Sequence, residues 1–284
     1  MAGIMPATGG ASVPANFDVD YTKGLQKALN EKAGIAPALV PDGSFGPKSV
    51  SALQQYQQKV GIPATGLYDS ATQALLDPFI TTKYLQTPDF NQAAANIGVS
   101  PSVVRTVCQV ETSGSGFLPD GRCVILFERH IFLKQLQAAG FTGQQIAQLQ
   151  AQGNSDIINA MPGGYAGGAG EYPRFNRAFA INPKAAMGAC SWGLFQIMGF
   201  HFDWAGYQDI DTFVTDMRTS EDKQLEAFVN FVKITSGGQL QRLLKAKDWL
   251  NFARQYNGVN EANSNPPYHT RLANAYNQLF PVYG

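Results

Sequence analysis

Charge is scarce in this 284-residue chain, and neither sign is in excess: Lys+Arg and Asp+Glu number 21 each, together 15% of the residues. No net field steers such a chain to nucleic acid or to an anionic membrane, so its partner is expected to be recognised by shape and hydrogen bonds. Cysteine is rarer still. Cys108, Cys123 and Cys190 are an odd set in apolar surroundings without metal-ligand spacing, which predicts reduced, buried thiols rather than a disulfide framework. The histidines, His130, His201 and His269, are scattered in the same way and read as structural; no metal and no cofactor is implied. Apolar runs of about 18 residues are missing, which argues against a membrane span. The opening MAGIMPATGGASVPANF has no basic residue and no continuous apolar segment, so it lacks the parts of a secretory signal, and synthesis in the cytoplasm is the expectation.

What is present points to two domains, the natural prior for this length. Residues 1–16 are small, Gly/Pro/Ala-rich and of low complexity, and are expected to form a disordered lead. From Phe17 to about Thr82 the chain carries an internal duplication: PDGSFGPKSVSAL (41–53) aligns with ATGLYDSATQALL (64–76), matching Gly43 with Gly66, Phe45 with Tyr68, Ser49 with Thr72 and Leu53 with Leu76. Each copy is a Gly turn, an aromatic plug and an amphipathic helix with Ser or Thr near its cap. Helices beginning near Asp20 and Lys48 each carry a Leu-Gln pair and close near a Gly-Ile, so a small three-helix unit is predicted.

The run D-G-x-F-G-P-K-S-x-x-A-L from Asp42 to Leu53, followed by Gln54, Gly61, Gly66 and Leu75, resembles the peptidoglycan-binding domain found at one end of many cell-wall hydrolases. The resemblance implies a cell-wall ligand held in a shallow groove near Asp42, Gly43, Phe45 and Gly46. The residues themselves also admit a plainer reading, in which Gly43 and Gly46 serve the turn and Phe45 plugs the core.

After a short link at 81–90, residues 83–284 read as a larger, mostly helical domain. Val103, Val104, Val107 and Val110 recur at helical spacing and lead into Glu111, followed at once by the polar, glycine-rich turn 112–116. A carboxyl held against apolar neighbours is disfavoured in its charged form and can keep a proton near neutral pH, which makes Glu111 a candidate general acid; a solvated Glu at a helix end is the bland alternative. The five glycines of MPGGYAGGAGEYPR (161–174) suit a mobile lip or a plain surface loop, and without the strand, helix and lysine of a phosphate-cradling loop they exclude nucleotide binding. Glu171 and Tyr172 at its end are candidates for a groove floor. ACSWGLFQIMGFHF (189–202) and FARQYNGVN (252–260) set Ser191, Trp192, Gln196, Tyr256 and Asn257 among apolar residues; such polar groups satisfy local backbone or line a wet site.

In that order, V-E-T-S-G, S-W-G-L-F-Q-I-M-G and A-R-Q-Y-N-G resemble the three signature blocks of the lysozyme-like superfamily that includes goose-type lysozymes and lytic transglycosylases. The span from about Pro88 to Tyr283 is similar to the N-acetylmuramidase domain of modular phage endolysins, with Thr112 where Ser is common and Cys123 where Pro is expected. The resemblance makes Glu111 the acid, the residues of the other two blocks the substrate contacts, and peptidoglycan glycan strands the partner. For a second carboxylate the sequence offers Asp120, Glu128 and Glu171 without choosing, and goose-type relatives can work with none. The implied activity is cleavage between N-acetylmuramic acid and N-acetylglucosamine for host lysis, by a monomer that leaves the host cytoplasm through a separate membrane pore. A lytic transglycosylase leaving 1,6-anhydro ends and a non-catalytic wall-binding protein are the alternatives.

Overall fold

The computed structural model describes residues 18–112, 114–258 and 265–284. The expected disordered lead, and Phe17, Ser113, Val259 and Asn260 of the motifs above, lie outside the described residues. The chain is mainly α and divides between Thr87 and Pro88 into two compact units. That division falls later than Thr82 because the residues after it are tied back: the Tyr84 hydroxyl donates to Glu31 Oε2 at 2.8 Å and the Thr87 hydroxyl to Asp20 Oδ2 at 2.7 Å.

The first unit is three helices, α1 (Val19–Ala33), α2 (Pro47–Lys59) and α3 (Ser70–Lys83). Asp18 and Asp69 cap α1 and α3 by accepting from the Tyr21 and Thr72 amides, and α2 starts on Pro47, whose missing N–H costs nothing at a helix's first position. Leu25, Leu29, Leu53, Leu76 and Ile80 are fully buried between them, each contributing about 1.5–3 kcal/mol of burial.

The duplication has a physical basis that its alignment does not display. Gln26 accepts from the Gly43 amide at 2.9 Å and donates to the Ser44 carbonyl at 3.1 Å, while Gln57 accepts from the Gly66 amide at 2.9 Å and donates to the Leu67 carbonyl at 2.9 Å. The same amides reach Ser49 and Thr72, the matched hydroxyls. Each turn is thus held from inside by one glutamine, with its glycine at φ +81° or +71°, where an L side chain is strained. The Leu-Gln pairs do not correspond: the counterpart of Gln26 is Gln57, one turn beyond Gln54, which packs instead against Gly66.

The second unit runs α4 (Thr87–Ile97), α5 (Pro101–Thr112), β1 (Ile125–Phe127), α6 (Arg129–Ala138), α7 (Gly143–Leu149), α8 (Glu171–Ile181), α9 (Pro183–Gly188), β2 (Cys190–Trp192), β3 (Ile197–Met198), α10 (Ile210–Met217), α11 (Glu221–Ile234), α12 (Gln239–Ala246), α13 (Trp249–Tyr256) and α14 (Tyr268–Tyr283). The apolar run before α6 is a strand: β1, β2 and β3 form a small antiparallel sheet in that order, with Ile125 opposite Trp192 and Trp192 opposite Ile197. Phe127, Trp192, Phe195, Phe213, Phe228 and Phe252 fill the core, and the three cysteines are buried thiols outside any disulfide. Among the described residues no helix is long and apolar enough to cross a membrane.

Candidate active site

The valine stripe of α5 faces inward, so the helix is buried along its length and delivers Glu111 in its last turn. The residue keeps some surface, but its carboxyl is enclosed, and burial pushes its pKa up to about 7. The carbonyl end of the helix dipole adds to the disfavour of a negative charge there. Against this, the Tyr268 hydroxyl donates to Glu111 Oε1, and the nearby Arg271 guanidinium also favours the charged form. Both come from the first turn of α14, which lies along α5. Arg271 Nη2 donates to the Val110 carbonyl at 2.6 Å, satisfying one of the end carbonyls that a helix leaves open.

The other two signature blocks meet the same place. The β2–β3 turn is tied to α5 by the Thr112 hydroxyl, which donates to the Leu194 carbonyl at 3.1 Å, and to α13 by the Tyr256 hydroxyl, which donates to the Phe195 carbonyl at 2.6 Å. Gln196 closes that turn at φ +49°, a left-handed conformation uncommon outside glycine and found at functional sites. Its amide is fixed at both ends, accepting from the Ser191 hydroxyl and donating to the Gly193 carbonyl, each at 2.8 Å. Gln196 remains half-buried and Asn257, just after α13, is exposed. Glu111, Gln196, Tyr256 and Asn257 are therefore brought to one region, with Ser191 and Tyr256 positioning the turn.

Other sequence candidates are corrected. Trp192 is 1% exposed, its ring lies edge-on to Phe175 and its indole N–H donates to the Met187 carbonyl, so it is core and not a sugar contact. Tyr172 is buried, with its hydroxyl donating to the Cys123 carbonyl at 2.7 Å. Glu171 is fully buried: Oε2 pairs with Arg174 Nη1 at 2.5 Å and Oε1 accepts from the Ala166 and Gly167 amides at 2.7 and 2.8 Å. With both oxygens engaged it holds the glycine-rich stretch, and it forms no groove floor. Arg129 pins the other end of that stretch through the Met161 and Pro162 carbonyls. Asp120 is an exposed turn residue forked by Arg122, whose hydrogen bonds keep its carboxyl below the usual range. Glu128 accepts from the Tyr165 hydroxyl and faces His130 at 3.2 Å. None of the three shares a hydrogen bond with Glu111, whose charge is set first by burial and, against it, by Tyr268 and Arg271.

Sequence reasoning missed Tyr268, Arg271 and two buried residues of α11. Gln224 Oε1 accepts from the Leu194 amide at 2.7 Å and its Nε2 donates to the Met217 carbonyl at 2.7 Å, while Glu221 accepts from the Gly116 amide at 2.9 Å. The spacing of Tyr268 and Arg271, three residues apart just after Pro266-Pro267, was the available signal, since it sets both on one face at a helix start.

In the first unit a cleft of about 740 Å³ opens beside the first clamped turn, lined by Ile35 to Val40, Asp42, Ser44, Gly46 and Pro47. Asp42 and Gly46 face it. Gly43 and the half-buried Phe45 belong to the turn's own construction. Hydrogen bonds from Gln26 and the Ser44 amide hold the Asp42 carboxyl below its usual range, so it stays ionised.

Residues 100–280 match the N-acetylmuramidase family and residues 21–76 the peptidoglycan-binding-domain family. The crystal structure of the Burkholderia AP3 phage endolysin is similar, with 37% sequence identity and a TM-score of 0.61 over 92% of this chain and 96% of that one. No curated protein matches. With an enclosed carboxylic acid at the junction of its signature blocks, the chain belongs to the N-acetylmuramidase family and is an endolysin-like peptidoglycan hydrolase with a peptidoglycan-binding domain in its N-terminal unit.

Proposed function

We propose that the chain cleaves the β-1,4 bond between N-acetylmuramic acid and N-acetylglucosamine, with Glu111 as general acid, for lysis of a phage's bacterial host. The observation that carries this reading is the Glu111 carboxyl, raised to about 7 by burial and so protonated in a large part of the molecules at neutral pH. Its proton goes to the glycosidic oxygen as the bond from that oxygen to the sugar C1 breaks. Water then supplies the hydroxyl at C1, and the proton it gives up restores the acid. Tyr268 keeps its own proton, because burial and the neighbouring Glu111 push its pKa well up, and so can donate to the carboxylate formed in the step. Gln196 and Asn257 contact the strand, and the wall-binding unit raises the local concentration of the enzyme on its substrate. The protein acts as a monomer and passes from the host cytoplasm through a separately made membrane pore.

The test is digestion of purified peptidoglycan by the full chain with mass analysis of the fragments. Reducing muramic ends are expected. Anhydro ends, lighter by one water, would replace hydrolysis with transglycosylation at the same site, and no fragments at all would remove the catalytic reading.

Tyr268 gives a second measurement. Its hydrogen bond favours the charged form of Glu111, so Tyr268→Phe is expected to raise the acid's pKa and carry the alkaline limb of the rate profile upward, by on the order of one pH unit. An unmoved limb would mean that the hydroxyl does not act on the reacting acid.

A further inference from the structure

Beyond Gln196 the chain continues as β3 and a short 3-10 turn over Gly199–His201, and its residues alternate in exposure. Phe195, Ile197 and Gly199 are buried, whereas Gln196, Met198 and Phe200 keep surface. This exposed row leads from the turn at the active site to a flat aromatic stack. His201 and Trp204 lie face to face with ring centres 4.2 Å apart and planes 14° from parallel, and Trp204 is 38% exposed. Behind them Phe231, which is buried, touches both rings at 5.9 and 6.1 Å, and it meets Tyr256 edge-on at 5.8 Å. The stack is therefore braced on the same ring that holds the Phe195 carbonyl.

We propose that His201 and Trp204 form a distal glycan subsite, an aromatic wall on which a sugar ring of the strand stacks at a distance from the bond being cut. This rests on the reading of the chain as a glycan-cleaving enzyme. Burying an indole face against the apolar side of a sugar ring releases water from both, and a tryptophan held in place by stacking loses little further freedom on binding. Hydrogen-bonding groups stand beside it. The His201 ring nitrogens have no hydrogen-bond partner among the described residues, and burial lowers its pKa, so the imidazole is neutral at neutral pH and can both donate to and accept from hydroxyls. Asp203 is exposed and uses Oδ1 to accept from the Trp204 amide at 2.9 Å, leaving its second oxygen as an acceptor. Trp204 packs on His201 and Phe231 and still keeps 38% of its surface open, and a neutral sugar offers the apolar face and the hydroxyls that this surface matches.

The experiment compares the full chain, Trp204→Ala and Trp204→Phe on peptidoglycan glycan strands of graded length. It adds a binding titration of Glu111→Gln with the N-acetylglucosamine hexamer, followed by tryptophan fluorescence. All three tryptophans, Trp192, Trp204 and Trp249, lie in the second unit, so the signal is blind to the wall-binding unit. On long strands Trp204→Ala is expected to raise KM by about tenfold with kcat falling less than twofold, the rise shrinking as strands shorten, and Trp204→Phe to restore most of the loss. In the titration the hexamer is expected to shift the emission of Glu111→Gln, and adding Trp204→Phe to remove the shift. Equal KM values for all three proteins on long strands, or a hexamer shift that survives the loss of Trp204, would overturn the subsite. If the parent chain cuts no glycan, the enzymatic reading fails by itself, and the titration still decides whether Trp204 meets sugar.

Discussion

Peptidoglycan cleavage by the Glu111→Gln variant is expected to fall about a hundred- to ten-thousand-fold, with the fold intact. Glutamine keeps the shape of the side chain and an oxygen that can accept from Tyr268, but it has no proton to give. Stability should move the other way. The Glu111 pKa is about 7 in the native state against a reference of 4.5, so the native protein binds this proton more tightly than the unfolded chain does. The resulting stabilisation is complete below the unfolded pKa and is lost as pH rises through 7, where the native state must hold a buried charge. Glutamine carries no such charge. The variant is therefore expected to be the more stable protein at about pH 8, by on the order of 2 kcal/mol, and to match the parent at about pH 4. Calorimetric melting of both proteins across that range checks this, and identical curves at every pH would show a solvated carboxyl unsuited to hold its proton. Activity lost and alkaline stability gained from one substitution is the signature of an acid kept where folding alone would not place it.

Glu171→Gln is expected to do the reverse. It leaves Arg174 as a nearly buried cation opposite an amide, and breaking one side of a buried pair costs about 3–5 kcal/mol. In a unit of this size that lowers the melting temperature by on the order of 10 °C. The amides of Ala166 and Gly167 keep an acceptor in the glutamine oxygen, so the glycine-rich stretch stays attached in the molecules that remain folded. Their kcat well below the melting range is expected within a few-fold of the parent. A large fall in kcat with unchanged melting would instead make Glu171 a catalytic carboxylate and refute its role as an internal brace.

The two outcomes also mark where sequence stops being informative. Glu111 is legible because its environment is local: the valine stripe that buries it occupies the same helix, one and two turns earlier. The duplicated unit is legible because a glycine at φ above +60° is demanded at Gly43 and Gly66, and the helix that follows each turn brings a matched hydroxyl, Ser49 or Thr72, to the glutamine that holds the turn. Glu171, Tyr172 and Trp192 mislead for one shared reason. A polar group among aromatics has the same composition whether it faces a groove or the core, and only its partners tell the two apart: Arg174 for Glu171, the Cys123 carbonyl for Tyr172 and the Met187 carbonyl for Trp192. Tyr268 is hidden for the complementary reason. Its helix is an ordinary amphipathic segment, and the acid it serves lies 157 positions away in the chain. The strand β1 reads in sequence only as a short apolar run ahead of a helix-like pattern, and becomes a strand when its partners, β2 and through it β3, are brought alongside.

Gln224 carries a further consequence. Its side chain threads between two glycines, and a methyl group added at Gly116 would sit 1.9 Å from Gln224 Oε1, while one added at Gly193 would sit 2.5 Å from Gln224 Cδ. Turning the glutamine aside to make room would give up its hydrogen bonds to the Leu194 amide and the Met217 carbonyl. Three positions far apart in the chain, 116, 193 and 224, therefore behave as one heritable character. A side chain added at Gly116 or Gly193 is expected to be tolerated only with a smaller residue at 224, and a chimaera that joins Gln224 to a parent with a side chain at 116 or 193 is expected to melt lower than either parent.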